Sequence, residues 1–337
     1  MKTTDFSRYL TGFLTNYLPH ETGASKNTIF SYRDTFVLFI QFMEQKKKIN
    51  VNKLAIKDIM KQSVIEFLNW LQSERKNNNA TRNLRLAAMY SFFKYIQYFA
   101  PDNLYEYQGI LSIKIKKKEK PAINYLTLDG IKLLLEQPDR TTLKGRRDLA
   151  LLSLMYDTGA RVQEIIDLSP SALHLDKPET IRVTGKGNKT RIIPLLEGQI
   201  KILKSYLVEN NLSVPNAGSY PLFFNSWKEK LSRAGVTYIL LKYADMARKK
   251  DQSLIPEKLS CHAIRHSKAM HLLQAGVNLI YIRDILGHVS VETTEIYARA
   301  DSKQKREAIE KAYVDVINKD VPLWQNNRNL VDWLNSF

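Results

Sequence analysis

The segment His262-Ala263-Ile264-Arg265 sets an imidazole and a guanidinium three residues apart, on one face if the segment is helical. Aimed together, the two suit a phosphate. The guanidinium fork matches two oxygens, and the imidazole can move a proton near neutral pH. Alone, this spacing is common on unremarkable surface helices. Three other segments carry complementary chemistry. In Thr158-Gly159-Ala160-Arg161-Val162-Gln163-Glu164, Gly159 would end one helix, a new one would start near Arg161, and Glu164 could orient the Arg161 guanidinium. The plain alternative is a surface ion pair worth about a few tenths of a kcal/mol. In Gly185-Lys186-Gly187, the glycines let the backbone turn sharply and leave the ammonium free to reach; otherwise this is a solvent-facing turn. His288 follows Gly287, a helix-ending residue, and Tyr297 comes nine residues after His288. A tyrosine taken singly would be a core aromatic.

Such side chains need elements to hold them. Apolar positions recur at helical spacing over 6–18, 29–43, 64–71 and 84–99. Ser25, Asn27 and Thr28 offer a start for the second helix, and Asn79 and Thr81 for the last. Residues 1–109 therefore read as an all-helical amino-terminal bundle. Tyr32, Arg33, Arg82, Arg85 and Lys94 are placed on faces the bundle would leave outside, where as a set they could grip a phosphate backbone. Residues 110–123 are rich in lysine, including Lys116, Lys117 and Lys118, with Pro121 after them; like charges favour an extended linker. It is either an idle tether or one that tracks phosphates. Residues 124–302 form a second domain. Helical patterns over 126–136 and 147–168 precede β-rich segments at 180–184 and 190–195, which join through the glycine-flanked tip as a hairpin. Helical patterns return at 199–208, 237–248, 261–275 and 279–286. The expected fold is mainly α with a small antiparallel β-sheet in the second domain. Residues 303–317 read as an amphipathic helix, and 323–337 as an apolar tail.

Composition narrows the partners. In 337 residues, 51 Lys and Arg face 34 Asp and Glu, a net charge of +17. That surplus favours a polyanion, because neutralising phosphates releases condensed counterions. The single cysteine, Cys261, excludes an internal disulfide and a cysteine-based zinc site. No apolar run reaches the roughly 20 residues of a membrane helix, and the start lacks a signal-peptide stretch, so a cytoplasmic protein with no membrane association is expected. The phosphate-loop pattern Gly-x-x-x-x-Gly-Lys-Ser/Thr is missing. His262 and His266 stand at zinc-ligand spacing, but no third ligand follows, so neither metal nor cofactor is expected.

The order Arg161, Lys186, His262, Arg265, His288, Tyr297 resembles the tyrosine recombinase, or phage integrase, family. Its members carry Arg, a hairpin Lys, His-x-x-Arg, His or Trp, and Tyr in that sequence. Residues 286–297, together with Thr158-Gly159-Ala160-Arg161 and His262-Ala263-Ile264-Arg265-His266, resemble the family's motifs along their length, and 1–109 resemble its core-binding domain. One departure is Lys268, where many relatives are more apolar. Lys189 is a second lysine near the tip; the resemblance favours Lys186. No additional amino-terminal DNA-binding domain is apparent.

The resemblance implies site-specific cutting and rejoining of double-stranded DNA at an inverted-repeat core site, without metal or ATP. Tyr297 would attack the scissile phosphate and form a 3′-phosphotyrosine. Arg161 and Arg265 would clamp the non-bridging oxygens, with His288 adding a hydrogen bond. Lys186 would protonate the leaving 5′ oxygen. His262 would move the nucleophile's proton, with His266 a competitor one turn away, and Glu164 would orient Arg161. The apolar tail would dock on a neighbour in a homo-tetramer, or in a hetero-tetramer with a related recombinase. The roles implied are integration, excision or transposition of mobile DNA, or Xer-like dimer resolution. A type IB topoisomerase, relaxing DNA as a monomer, is the enzyme alternative; a DNA-binding protein with a decayed site is the non-enzyme one.

Overall fold

The computed structural model describes residues 4–118, 123–300, 332, 334 and 335. The chain divides into two compact units, Met1–Pro121 and Ala122–Phe337. The amphipathic helix expected at 303–317 and the tail start at 323 lie outside the described residues. Among the described residues no helix is long and apolar enough to cross a membrane.

The first unit is helical throughout: α1 (Asp5–Gly12), continued by a wider π-helical stretch Phe13–Glu21, then α2 (Lys26–Lys47), α3 (Lys61–Ser73), α4 (Asn79–Ile96) and α5 (Leu104–Leu111). Side-chain oxygens start the two longest. Ser25 Oγ accepts from the Thr28 amide at 3.2 Å, and Asn78 Oδ1 accepts from the Thr81 amide at 2.9 Å, satisfying donors that have no partner in the first turn. The core is aromatic. Phe13 meets Phe36 and Phe92 edge-on, and Phe39 meets Phe67 the same way. Each such ring contributes roughly 1.5–3 kcal/mol on burial.

This packing corrects part of the expected basic face. Arg82 is only 5% exposed. It stands four residues before Leu86 on the buried stripe of α4, so its guanidinium enters the unit, where it donates to Lys114 O at 3.3 Å. Arg85 also turns inward, donating to Ser31 O and Thr35 Oγ1 at 3.0 and 3.1 Å. Tyr32 is half-buried with its ring stacked on Phe13. Arg33 and Lys94 remain exposed, with Arg33 paired to Asp34.

The lysine-rich segment also differs from the expected free tether. Its first residues belong to α5, and Ile113 is buried. Tyr90 donates its hydroxyl to Ile113 O, while Asn83 and Asn79 donate to Lys116 O and Lys117 O at 2.7 and 2.9 Å. Side-chain amides on α4 hold this backbone against the first unit, while Lys116, Lys117 and Lys118 stay exposed. Sequence charge favours extension, but the captured carbonyls decide where the extended strand lies.

In the second unit, α6 (Leu128–Leu135) and α7 (Leu143–Thr158) lead to a short α8 (Val162–Ile166). A three-stranded antiparallel sheet follows: β1 (Leu173–His174), β2 (Thr180–Thr184) and β3 (Thr190–Pro194), in that spatial order. Among the described residues, five helices follow: α9 (Glu197–Glu209), α10 (Arg233–Lys250), α11 (Cys261–Gln274), α12 (Leu279–Leu286) and α13 (Glu292–Ala300). Strand β1, two residues long, and helix α13 were not anticipated from the sequence. Ile181, Val183 and Ile193 face the main core of this unit. A smaller cluster of Ala269, Met270, Leu273, Ile282 and Leu286 joins α11 and α12 and closes over Tyr297. Lys268 fits into α11 because its ammonium lies 3.8 Å from Asp157 and over the Tyr156 ring.

Candidate active site

Two left-handed glycines shape the site. Gly159 (φ +56°) ends α7, and Gly287 (φ +65°) ends α12. An L side chain in this conformation is strained, and a Cβ at Gly159 would come within 2.8 Å of Leu286. Each sharp stop delivers a functional side chain immediately afterwards.

After Gly159 the chain is extended at Arg161, which caps α8. Glu164 Oε2 accepts from the Arg161 amide at 2.8 Å, and Oε1 accepts from Arg161 Nη1 at 2.8 Å. Arg161 Nη2 also reaches Gly287 O at 3.4 Å. Glu164 therefore orients the guanidinium from a buried position.

Helix α11 begins at the Ser260 cap and carries His262, Arg265 and His266. Arg265 is 1% exposed. Its Nη1 donates to Gly159 O at 2.8 Å and its Nη2 to Leu286 O at 2.7 Å. The two helix-end carbonyls thus fix the plane of the fork, while Nε is buried with no partner among the described residues. Burial, and then the charge of Arg161, lowers its pKa to about 10, so it remains a cation at neutral pH.

After Gly287, His288 stands with Nδ1 at 2.9 Å from Thr294 Oγ1. Its ring stacks over Tyr297 with centroids 6.5 Å apart. Tyr297 lies on α13 and is 1% exposed. Burial raises its pKa against the opposing pull of Arg265 and Arg161, so the resting phenol is protonated.

The structure separates the two histidines that the sequence left in competition. The Tyr297 hydroxyl lies 2.9 Å from His266 Nδ1. His262 does not share that bond; it packs edge-on against His266, ring centroids 4.4 Å apart. Burial, then the charges of His262 and Arg265, pushes His266 down to about 4. A neutral imidazole beside a protonated phenol can provide a lone pair at the Tyr297 hydroxyl. Among the described residues no three His, Cys, Asp or Glu side chains gather as a metal site requires.

Lys186 occupies the tip between β2 and β3, in a tight turn with Gly187 at φ +74°. The Gly185 amide closes the turn on Lys189 O at 2.8 Å. A residue that sequence reasoning missed is Arg191 on β3. Its Nη2 donates to Glu164 Oε2 and its Nε to Ile285 O, both at 2.7 Å. The signal was present: strand alternation puts Arg191 in register with inward Ile193.

The depressed histidines give a pH effect on stability. His266 and His288 both sit near 4, through burial first, whereas in the unfolded chain each titrates near ~6.5. Between these values the unfolded chain binds protons that the folded chain refuses, so stability is lost as pH falls from about 6.5 towards 4. The melting temperature is expected to drop between pH 7.5 and pH 5, and less steeply in His266→Asn. Calorimetry at the two pH values checks this; identical drops would remove His266 from the account.

Residues 124–304 match the phage integrase family, and residues 11–97 match its N-terminal SAM-like domain. The chain is 35% identical to "Putative integrase/recombinase y4rC" of Sinorhizobium fredii, over 92% of each chain. It is 32% identical to tyrosine recombinase XerD of Listeria monocytogenes, over 84% of this chain and 91% of that one. Among solved structures it resembles the XerH site-specific recombinase bound to palindromic difH substrate. That match has a TM-score of 0.67 and 25% identity, covering 86% of this chain and 80% of the other.

Proposed function

The chain belongs to the phage integrase family of tyrosine recombinases, and from that premise we propose that Tyr297 is the nucleophile of a DNA strand-exchange reaction. The observation that carries the proposal is the convergence of Arg161, Arg265, His288 and His266 on the elements surrounding the Tyr297 hydroxyl.

Tyr297 Oη attacks the scissile phosphorus as the bond to the 5′ oxygen breaks, leaving a 3′-phosphotyrosine and a free 5′ hydroxyl. A phenol is a weak nucleophile at neutral pH, since its pKa is near ~10. His266, already at the hydroxyl, accepts the proton as the bond forms. This departs from the expected role for His262, which serves as the neighbour of His266. Arg161 and Arg265 stabilise charge on the non-bridging oxygens, where it grows in the transition state, and His288 adds a donor. Lys186 protonates the departing 5′ oxygen. The ester energy is kept in the phosphotyrosine, so a second strand's 5′ hydroxyl can reverse the step.

The substrate is double-stranded DNA with an inverted-repeat core site, acted on in the cytoplasm by four copies, or by two copies with a related recombinase. Exposed Arg33, Lys94, Lys116, Lys117 and Lys118 contribute to the grip on the backbone. The two units act as a core-binding domain and a catalytic domain. The biological role is movement of a mobile element by integration, excision or transposition. The XerD relative favours a second reading, dimer resolution.

Covalent capture tests this. The protein is incubated with nicked, fragmented DNA of the source genome and its mobile elements, stopped with detergent, and the linked DNA sequenced. Adducts enriched in one inverted repeat are expected. Repeats at element ends support mobility, and a single chromosomal site supports dimer resolution. Adducts without enrichment would point to a topoisomerase, and none, despite DNA binding, would overturn the proposal.

A further inference from the structure

The lysine that must reach the leaving oxygen stands on a two-stranded projection whose tip is built of glycine, lysine, glycine and asparagine. The apolar anchors of the hairpin, Ile181, Val183 and Ile193, secure it in the core. Near the tip, the side chain that ties it to the remaining site elements is Arg191, directly across from Val183 in the β2–β3 register.

Arg191 is 11% exposed and makes two kinds of contact at once. Nη2 donates to Glu164 Oε2 on α8, the carboxylate that also holds Arg161. Nε donates to Ile285 O near the end of α12, two residues before Gly287. The surroundings leave no slack. A Cβ on Gly287 would meet Arg191 Nη1 at 2.8 Å, and a Cβ on Gly185 would meet Glu164 Oε1 at 2.8 Å. Glycines on both sides thus let the hairpin and the α12 terminus close on one buried ion pair.

We infer that Arg191 is a positioning residue: it fixes the hairpin that carries Lys186 to the two elements that carry Arg161 and His288. The inference rests on the proposed role of Lys186 as the acid that protonates the leaving group. Arg161 keeps its own hold on Glu164 through its amide and Nη1. Loosening Arg191 is therefore expected to disturb the acid more than the phosphate clamp.

Arg191→Lys keeps the charge but cannot donate in two directions from one planar group. The test uses the full chain and the captured DNA site, nicked for single-turnover cleavage, in two forms. One has the natural 5′ oxygen at the scissile phosphate. The other has sulfur in that bridging position, which departs as a thiolate and needs no proton. Lys186→Ala is run beside it, with DNA binding and melting temperature measured for each variant. On the oxygen substrate, Arg191→Lys is expected to cleave roughly 10²-fold more slowly, within the range of a lost general acid. On the sulfur substrate both variants are expected to return close to wild type. Gly185→Ala, which presses on the same junction from the hairpin side, is expected to show the same rescue and guards against an Arg191→Lys chain that does not fold.

Wild-type cleavage of the oxygen substrate by Arg191→Lys would overturn the inference. Rescue of Lys186→Ala without rescue of Arg191→Lys and Gly185→Ala would overturn it too, assigning Arg191 to the fold or to Arg161. Failure of sulfur to rescue Lys186→Ala would instead overturn the acid role of Lys186, and the inference with it.

Discussion

Tyr297→Phe is expected to reduce covalent adduct formation by at least roughly 10³-fold, to the floor of the assay, because it removes the hydroxyl proposed to form the ester. DNA binding should stay within roughly threefold of wild type, since cation–phosphate contacts dominate affinity and none is removed. The ring persists, so the small core cluster around it should survive. The lost bond to His266 costs about 1 kcal/mol of stability. Detergent-stable adducts counted by gel, with binding measured on the same DNA, decide the matter. Residual adduct at even a few per cent would assign the nucleophile elsewhere.

Arg265→Ala is expected to damage both chemistry and fold. Its guanidinium satisfies Gly159 O and Leu286 O, the carbonyls at the ends of α7 and α12. Removing it opens a cavity and strands both acceptors, which together should cost about 3–5 kcal/mol. Single-turnover cleavage should fall by roughly 10²–10³-fold or more, the usual effect of losing one transition-state donor. Arg161→Ala separates the two effects. Arg161 is 39% exposed, bonded to one main-chain carbonyl, Gly287 O, and paired with Glu164, which keeps Arg191 as a partner, so its loss should depress cleavage comparably while lowering the urea midpoint less than Arg265→Ala does. If Arg265→Ala were as stable as Arg161→Ala, the two carbonyl bonds would not be organising the helix ends.

Each chemical group had a plain alternative when taken singly, and it was their order and spacing together that made the set legible. His262 and Arg265 share a helical face by spacing alone, and a glycine precedes Ala160-Arg161 and His288, where a helix must stop. The β2–β3 hairpin was legible because β-branched runs flank a glycine-rich tip. The helical first unit followed from apolar periodicity.

Tertiary structure decided what depends on partners distant in sequence. His266 and Tyr297 are 31 residues apart, and nothing in the local pattern prefers His266 to His262; their meeting follows from how α13 packs on α11 and α12. Arg82 and Arg85 look like solvent-facing charges until carbonyls of Lys114 and Ser31 are seen to receive them. Arg191 shows the same dependence, its two acceptors lying 27 and 94 residues away. A polar side chain enters a core only where partners offset its desolvation. The sequence by itself determined which groups are available and in what order. Only the packed chain determined which of them face one another.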